Sequence, residues 1–447
     1  MLPTVLFFAR SYQAEFFPHL TSLRYRSVYA TMTLEEKRMV IAKGGQVVGC
    51  FEEEFDELKS EAISKDYLIT SLASDRYLIH FSLPDRLTIL GKEKQFWQNI
   101  LSGYSPVAVI NEAVAIEISE VLYIETKKRS IKYLGWLHNP IENYFYWMTT
   151  PMHGSMDPSI FTKTPNPESI QIARDYCLKI ESNYKPFYVR DLKSRFNLIN
   201  ILKDIWALGI TLKWQSKYAS SKLKRYAIFG ADHKFYLWRL TLPFRSIFKR
   251  YDDLNKCANF EIIFYPLHFE PEATLYYMAE YYSDQIGTIY NISKCLNLNQ
   301  VLVVKEHPQQ TGMLLTKGYQ QLKAKNSNLI FLPAEFNSQD IIRKSVAIIT
   351  LTSTVGLEAL ALGKPVLIMG NIFYDCYRDL MKIKHFEELR VVIKSGNYVQ
   401  PEKETLIHFL ACLLQYSYPG NPIPHPGLYS PQNIQSIVAA IETDAVQ

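Results

Sequence analysis

Apolar residues along this chain gather into short unbroken runs, and between the runs they recur every three or four positions. TVLFFA, residues 4–9, is a run of the buried-strand type, and residues 12–20 read as a helix after it. SVYA (27–30), QVVGCF (46–51), PVAVIN (106–111) and IKYLGWL (131–137) are further runs, with amphipathic segments at 87–102 and 112–123 among them. Such alternation predicts a parallel sheet covered by helices on both faces. From about 150 to 255 the pattern changes: 167–182 and 190–216 read as helical, and a basic, aromatic stretch without strand period follows. A second alternating series opens near 260, with strands expected at 261–267, 300–308, 328–333, 346–351 and 365–370. Helices are expected at 275–296, at 338–345 with Ser338 as N-cap, and at 352–363, stopped by Gly363 before Pro365. Helical patterns at 404–416 and 431–443 end the chain.

The fold class expected is therefore α/β: two Rossmann-like domains facing across a cleft, the GT-B-like arrangement, with a helical insertion. The domains expected are 1–255, with the helical segment at about 150–255, then 256–425, and a C-terminal helix at 426–447.

Composition narrows the class without naming a function. The 447 residues suit two or three domains at ~150 residues each, and 48% apolar against 21% charged excludes a disordered or fibrous chain. Lys plus Arg is 49 and Asp plus Glu 44, a net +5 that allows a cationic patch but predicts no nucleic-acid partner. Thirty Tyr and 24 Phe suit sugar-binding clefts or membrane-facing surfaces, and equally a Tyr-rich core. Six cysteines at 50, 177, 257, 295, 376 and 412 form no CxxC, which argues against a zinc site or disulfide framework and fits a reducing cytosol. The run Val5–Ala9 is too short for a signal peptide, and no stretch nears the ~18 apolar residues a membrane span needs. A cytoplasmic location is expected. Lys222, Lys224, Arg225, Arg245, Lys249 and Arg250, interleaved with aromatics, leave a peripheral contact with the inner membrane face open; a solvated helix face fits them as well.

Ligands of an open parallel sheet bind beyond the carboxyl ends of its strands. Four motifs fall there. His268, Glu270 and Glu272 follow the 261–265 strand in a Pro-bounded loop, where they can hold sugar or ribose hydroxyls or do acid–base work, or merely complement a helix dipole. Lys305 and His307, fixed by Pro308, can neutralise a phosphate. Thr352, Ser353 and Thr354 open a helix straight after a strand, so free amides and the helix dipole are expected to meet an anion, with Gly356 allowing close approach and Glu358 one turn in. An ordinary N-cap would look similar. Tyr374, in GNIFYD, would form the far wall. Neither a Walker loop nor GxGxxG is present, so an ATPase or nicotinamide enzyme is not supported. In the first half, Arg10, Ser11, Glu15 and His19 follow one strand and Asn111-Glu112 another; Glu112 is placed as base or nucleophile, or only as a helix cap. Tyr144–Trp147 is either a glycan-stacking surface or core. No DxD lies at a strand end, so metal-free chemistry is expected, with no metal ligands and no cofactor.

KEHP, then TSTVGLEALALGKPV, then MGNIFYD resemble the C-terminal half of capsule polysaccharide biosynthesis proteins, the group that contains bacterial β-Kdo transferases of GT-B type. The resemblance covers roughly 260–380. It implies a glycosyltransferase with a nucleotide-sugar donor, CMP-Kdo foremost, and a glycan or lipid-linked glycan as acceptor. By position it implies that His307, Ser353, Thr354 and Glu358 contact the nucleotide, with Glu270 and Glu272 near the transferred sugar and His307, Glu272 and Glu112 as catalytic candidates. The first domain would serve the acceptor. Two departures, EPE in the acidic loop and no Trp-Gly after Tyr374, leave the donor sugar open among a sialyl, NDP-hexose or phosphoribosyl group. A non-catalytic export scaffold is the alternative from another class.

Overall fold

The computed structural model describes residues 2–64, 81–149, 154–182, 250–270, 273–308 and 310–446, with helical positions at 201–203, 205–206, 208–209, 212, 237 and 240–241. They form two compact units, one made by the chain before Gly154 together with everything from Leu413 onward, the other by the described residues from Gly154 to Cys412.

In the first unit lie β1 (Thr4–Phe8), β2 (Arg26–Thr31), β3 (Val47–Cys50), β4 (Ala108–Glu112), β5 (Lys132–His138) and β6 (Tyr144–Trp147), joined near the chain's end by β13 (Tyr418–Pro419). The sheet order is β13-β6-β5-β4-β1-β2-β3. Strands β1 to β5 run parallel, and β6 and β13 are antiparallel to their neighbours. A parallel strand covered on both faces has to be apolar throughout. In β1, Leu6 and Phe8 meet Phe96 and Trp97 of the helix Leu83–Tyr104 on one face. On the other, Val5 and Phe7 meet Trp136 and Ile437, Ala440 and Ile441 of the helix Pro431–Ala445.

That second face corrects the expected boundaries. Residues from Leu413 onward return to the first unit, because β13 pairs with β6 and the last helix fills the first core. The helix Pro167–Glu181 belongs instead with the second unit, where Arg174 pairs with Glu404 and Arg343 donates to the Glu181 carbonyl. The aromatic run at 144–147 is an edge-side strand with Phe145, Tyr146 and Trp147 buried, so it is core and not a stacking platform. The stretch 12–20 makes one helical turn, Gln13–Phe16, and a 3-10 turn with Pro18, while the helix expected from 112 starts at Glu117, since Asn111 and Glu112 still belong to β4. Lys222, Lys224, Arg225, Arg245 and Lys249, and most of the helix expected over 190–216, lie outside the described residues.

The second unit holds β7 (Glu261–Pro266), β8 (Gln300–Lys305), β9 (Leu329–Leu332), β10 (Ser345–Thr350), β11 (Val366–Ile368) and β12 (Met381–Lys382), all parallel, in the order β12-β11-β10-β7-β8-β9. The five apolar runs are β7 to β11, and Ile263, Tyr265, Leu302, Val304, Ile349 and Leu367 form the core. Three helix details differ from expectation. The span 275–296 breaks into Ala273–Met278 and Gln285–Cys295, because the Asp284 side chain accepts from the Gly287 amide and starts a new helix. Asn337, not Ser338, caps Ser338–Lys344. The helix expected from 352 begins at Val355, which leaves 352–354 as a turn. Among the described residues no helix is long and apolar enough to cross a membrane.

Candidate functional site

Both sheets reverse direction at one place. The chain goes from β1 to β2 and β3 on one side, then returns to lay β4 against the other edge of β1; β7, β8, β9 and β10 repeat that path. The crevice beyond the carboxyl ends at such a reversal is where open α/β sheets hold ligands. In the second unit it lies between the ends of β7 and β10, and a side chain spans it: the Thr352 amide donates to His268 Nε2 at 3.0 Å. An acceptor at Nε2 puts the ring proton on Nδ1. Burial and the neighbouring His307 push the His268 pKa down to about 3, so the ring is neutral. His268 therefore braces the β10 turn instead of exchanging protons. His268→Leu should remove an acceptor from a buried amide and lower stability by about 1–3 kcal/mol, while His268→Gln, which can present an oxygen there, should lose less than half of that in urea unfolding.

The turn itself changes the expectation of open amides. The Thr352 amide goes to His268, that of Ser353 to Thr350 Oγ1 at 3.3 Å, that of Val355 to Ser353 Oγ at 3.2 Å and that of Gly356 to the Ser353 carbonyl at 3.1 Å. Four amides are thus already taken within the protein, and Thr354 makes no side-chain cap bond. What the turn presents are the half-exposed Ser353 and Thr354. Gly356 clears space for a tyrosine, not for a phosphate. A Cβ there would collide with Tyr374 Oη and lie 3.0 Å from Tyr374 Cζ, and the hydroxyl donates to the Ser353 carbonyl. Tyr374 is accordingly buried beneath the turn and forms no outer wall.

At the end of β8, Lys305 turns inward. It is 4% exposed, its Nζ donates to the Glu306 carbonyl at 3.2 Å, and burial lowers its pKa to about 8, against the pull of Glu306, Glu358 and Glu335. Glu306 organises the following loop by accepting from the Leu314 amide at 2.8 Å, the Gly312 amide at 2.9 Å and the Tyr251 hydroxyl at 2.9 Å. Burial raises its pKa to about 7. His307 and Pro308 stay half-exposed, with the His307 ring 5.7 Å from that of Phe269. Glu358 is half-exposed by residue, but burial of its carboxyl raises the pKa to about 7, with Gln339 and Lys305 pulling it back.

Two glutamines that sequence reasoning missed hold the loop after β7. The His268 amide donates to Gln285 Oε1 at 2.7 Å, and Gln285 Nε2 donates back to the His268 carbonyl at 3.0 Å and to the Glu270 carboxylate. The Glu270 amide donates to Gln310 Oε1 at 2.9 Å, and Gln310 Nε2 donates back to the Glu270 carbonyl. Sequence offered no signal beyond Asp284 as an N-cap, since a lone glutamine marks no period or turn. The structure thus brings His268, Glu270, Lys305, His307, Thr352, Ser353, Thr354, Gly356, Glu358 and Tyr374 to the carboxyl ends of one sheet; His268 bonds Thr352 and Tyr374 bonds Ser353 directly, while Gln285 and Gln310, absent from the motifs, hold His268 and Glu270. Glu272 lies outside the described residues.

In the first unit the equivalent crevice, between β1 and β4, is spanned by Gln13 Nε2 donating to Glu112 Oε2 at 3.1 Å. Arg10 is buried with its guanidinium 5.5 Å from the Phe8 ring centre. Ser11 has a left-handed φ of 51°, and its amide donates to Glu36 Oε1 at 2.8 Å. Asn111 donates to the Tyr133 hydroxyl at 2.9 Å, Glu15 is exposed, and His19 packs against Tyr429.

Residues 248–382 match the family described as capsule polysaccharide biosynthesis protein. Over 90 residues the chain is 30% identical to capsule polysaccharide export protein KpsS of Escherichia coli, a stretch amounting to 20% of this chain and 23% of KpsS. Protein FixF of Sinorhizobium fredii is 25% identical over 122 residues, 27% of this chain and 28% of FixF. The matched stretches thus span about a quarter of the length of these curated relatives. Among solved structures, the beta Kdo 2,7 transferase of Thermosulfurimonas dismutans KpsC is 13% identical, with a TM-score of 0.37 over 93% of this chain and 98% of that one. The family match begins just ahead of β7 and ends with β12, so residues 248–382, which take in the whole sheet with the His268–Thr352 and Tyr374–Ser353 bonds at its carboxyl ends, are similar to the capsule polysaccharide biosynthesis protein family.

Proposed function

We propose that the chain is a glycosyltransferase of bacterial surface-polysaccharide synthesis, with the β7/β10 crevice of the second unit as its nucleotide-sugar site. The observation that carries this reading is the coincidence of the family match with the sheet reversal where the polar motifs meet. CMP-Kdo is the proposed donor, on the resemblance of KEHP and TSTVGLEALALGKPV; the acceptor is a growing surface glycan or its lipid-linked precursor, reached at the inner face of the cytoplasmic membrane. Since Lys305 is drawn inward and most turn amides are taken, the leaving nucleotide would be met by His307, Ser353 and Thr354. Their hydrogen bonds to the departing phosphate would supply the stabilisation, with no metal required. Glu112, held by Gln13, is the proposed base on the acceptor side.

The purified chain should be stabilised by CMP by about 2.7 kcal/mol at a hundredfold excess over its dissociation constant. UDP, GDP and dTDP run in parallel assign the donor class, and no response to any of them rejects the reading. His307→Ala should lower CMP-Kdo turnover by about 100-fold, the usual size of one lost transition-state contact, with the unfolding temperature unchanged. An export scaffold would show no turnover to lose.

A further inference from the structure

Among the described residues the loop after β7 has no neighbouring strand at 268–270, yet its backbone is paired. Gln285, the first residue of the helix Gln285–Cys295, makes a reciprocal pair of bonds with the amide and carbonyl of His268. Gln310, whose own amide donates to the His307 carbonyl at 2.9 Å, makes the same reciprocal pair with Glu270. Each carboxamide thus stands in for one peptide of an adjacent strand. Both are nearly sealed from solvent, 1% and 2% exposed, so neither is a chance surface contact. One difference separates them: Gln285 Nε2 also donates to the Glu270 carboxylate, whereas the bonds of the Gln310 carboxamide among the described residues go to the Glu270 backbone.

We infer that Gln285 and Gln310 are positioning residues of this site: Gln310 sets the path of the loop that carries Glu270, and Gln285 in addition donates to the Glu270 carboxylate and so favours its charged form over the protonated one. The inference rests on the reading of this edge as the donor site. A neutral donor on a carboxylate favours its charged state. The other described groups acting on Glu270 oppose or support that. Its pKa is raised overall, by burial first and by Asp284, while Gln285 and the phenol of Tyr319 pull it back down. Tyr265, at the same edge, is a buried phenol that feels the Glu270 charge. His268 is neutral, and its Nε2 is engaged by Thr352.

The test reads Glu270 without any turnover. Infrared titration of the full chain labelled with carboxyl-¹³C glutamate, with Glu270→Gln to assign the band, gives the Glu270 midpoint. Gln285→Leu should raise that midpoint by about one pH unit, a tenfold gain in proton affinity, and Gln310→Leu should leave it within a few tenths. Gln285→Glu keeps an acceptor for the His268 amide but sets a second carboxyl on Glu270, so it should also raise the midpoint. An unchanged midpoint in folded Gln285→Leu, or an equal shift in Gln310→Leu, overturns the inference. Failure of both Gln285 variants to fold would make that residue structural and overturns it too. Because the band needs neither nucleotide nor acceptor, a failed donor assay leaves this result standing. With CMP-Kdo turned over, the acid limb of the rate profile should move upward in Gln285→Leu alone.

Discussion

Gly356→Ala should destabilise the second unit by about 3 kcal/mol, as expected when atoms are forced into a filled core. The new methyl would collide with Tyr374 Oη and approach Tyr374 Cζ and Thr350 Cγ2 to 3.0 Å. Tyr374 cannot swing away, since it is fully buried and its hydroxyl is bonded to the Ser353 carbonyl. Tyr374→Phe alone should cost only about 1 kcal/mol, the net value of one hydrogen bond. In the double variant the obstructing oxygen is gone, so the combined loss should fall short of the sum by at least ~1 kcal/mol. Urea unfolding of the four proteins measures this cycle, and strict additivity would refute the packing argument. The same strain tilts Ser353 and Thr354, so CMP affinity in Gly356→Ala should drop about tenfold or more, equivalent to ~1.4 kcal/mol.

Removal of the Glu306 carboxylate should have a comparable effect with a different signature. Glu306→Ala leaves the amides of Gly312 and Leu314 and the Tyr251 hydroxyl without their acceptor. At about 1–3 kcal/mol for each stranded buried donor, a loss of about 4 kcal/mol is expected. The pH dependence identifies the group. Its folded pKa is raised from 4.5 to about 7 by burial, and Glu358 is raised likewise. Below about 4.5 both folded and unfolded chains hold the proton, and the contribution is complete. As pH climbs from there toward 7, the unfolded chain releases its proton first, and stability falls. The loss is at most about 3 kcal/mol per carboxyl and levels off above pH 7. Glu306→Gln, which cannot titrate, should flatten roughly half of that decline; a slope unchanged from the parent protein would exclude Glu306 as its source.

The motif at 305–308 illustrates how far sequence carries the site. It places a lysine, two ionisable groups and a proline at a strand end, and all four are there. What each does depends on direction. Lys305 is the last residue of β8, and its side chain enters the interior, while His307, two residues on, stays half-exposed. Glu306, to which the motif gave no role, accepts from the Gly312 and Leu314 amides and so fixes the chain that follows. A capping role read from hydroxyl residues likewise went to different atoms, because the turn at 352–354 consumes its amides before the helix begins.

Sequence by itself determined the strands β7 to β11 and the positions of their polar ends, since a parallel strand buried on both faces has to be a continuous apolar run and its exit has to be polar. It also determined the α/β class from the alternation of such runs with helical segments. Only the tertiary structure decided the strand order, and with it the reversal between β7 and β10 that places the candidate site. It alone revealed that the described residues from Leu413 onward return to the first core. The links that make one site of four motifs join residues 17, 40 and 84 positions apart. Hydrogen bonds of that range follow no helix or strand period, so a linear pattern of hydrophobicity holds no trace of them.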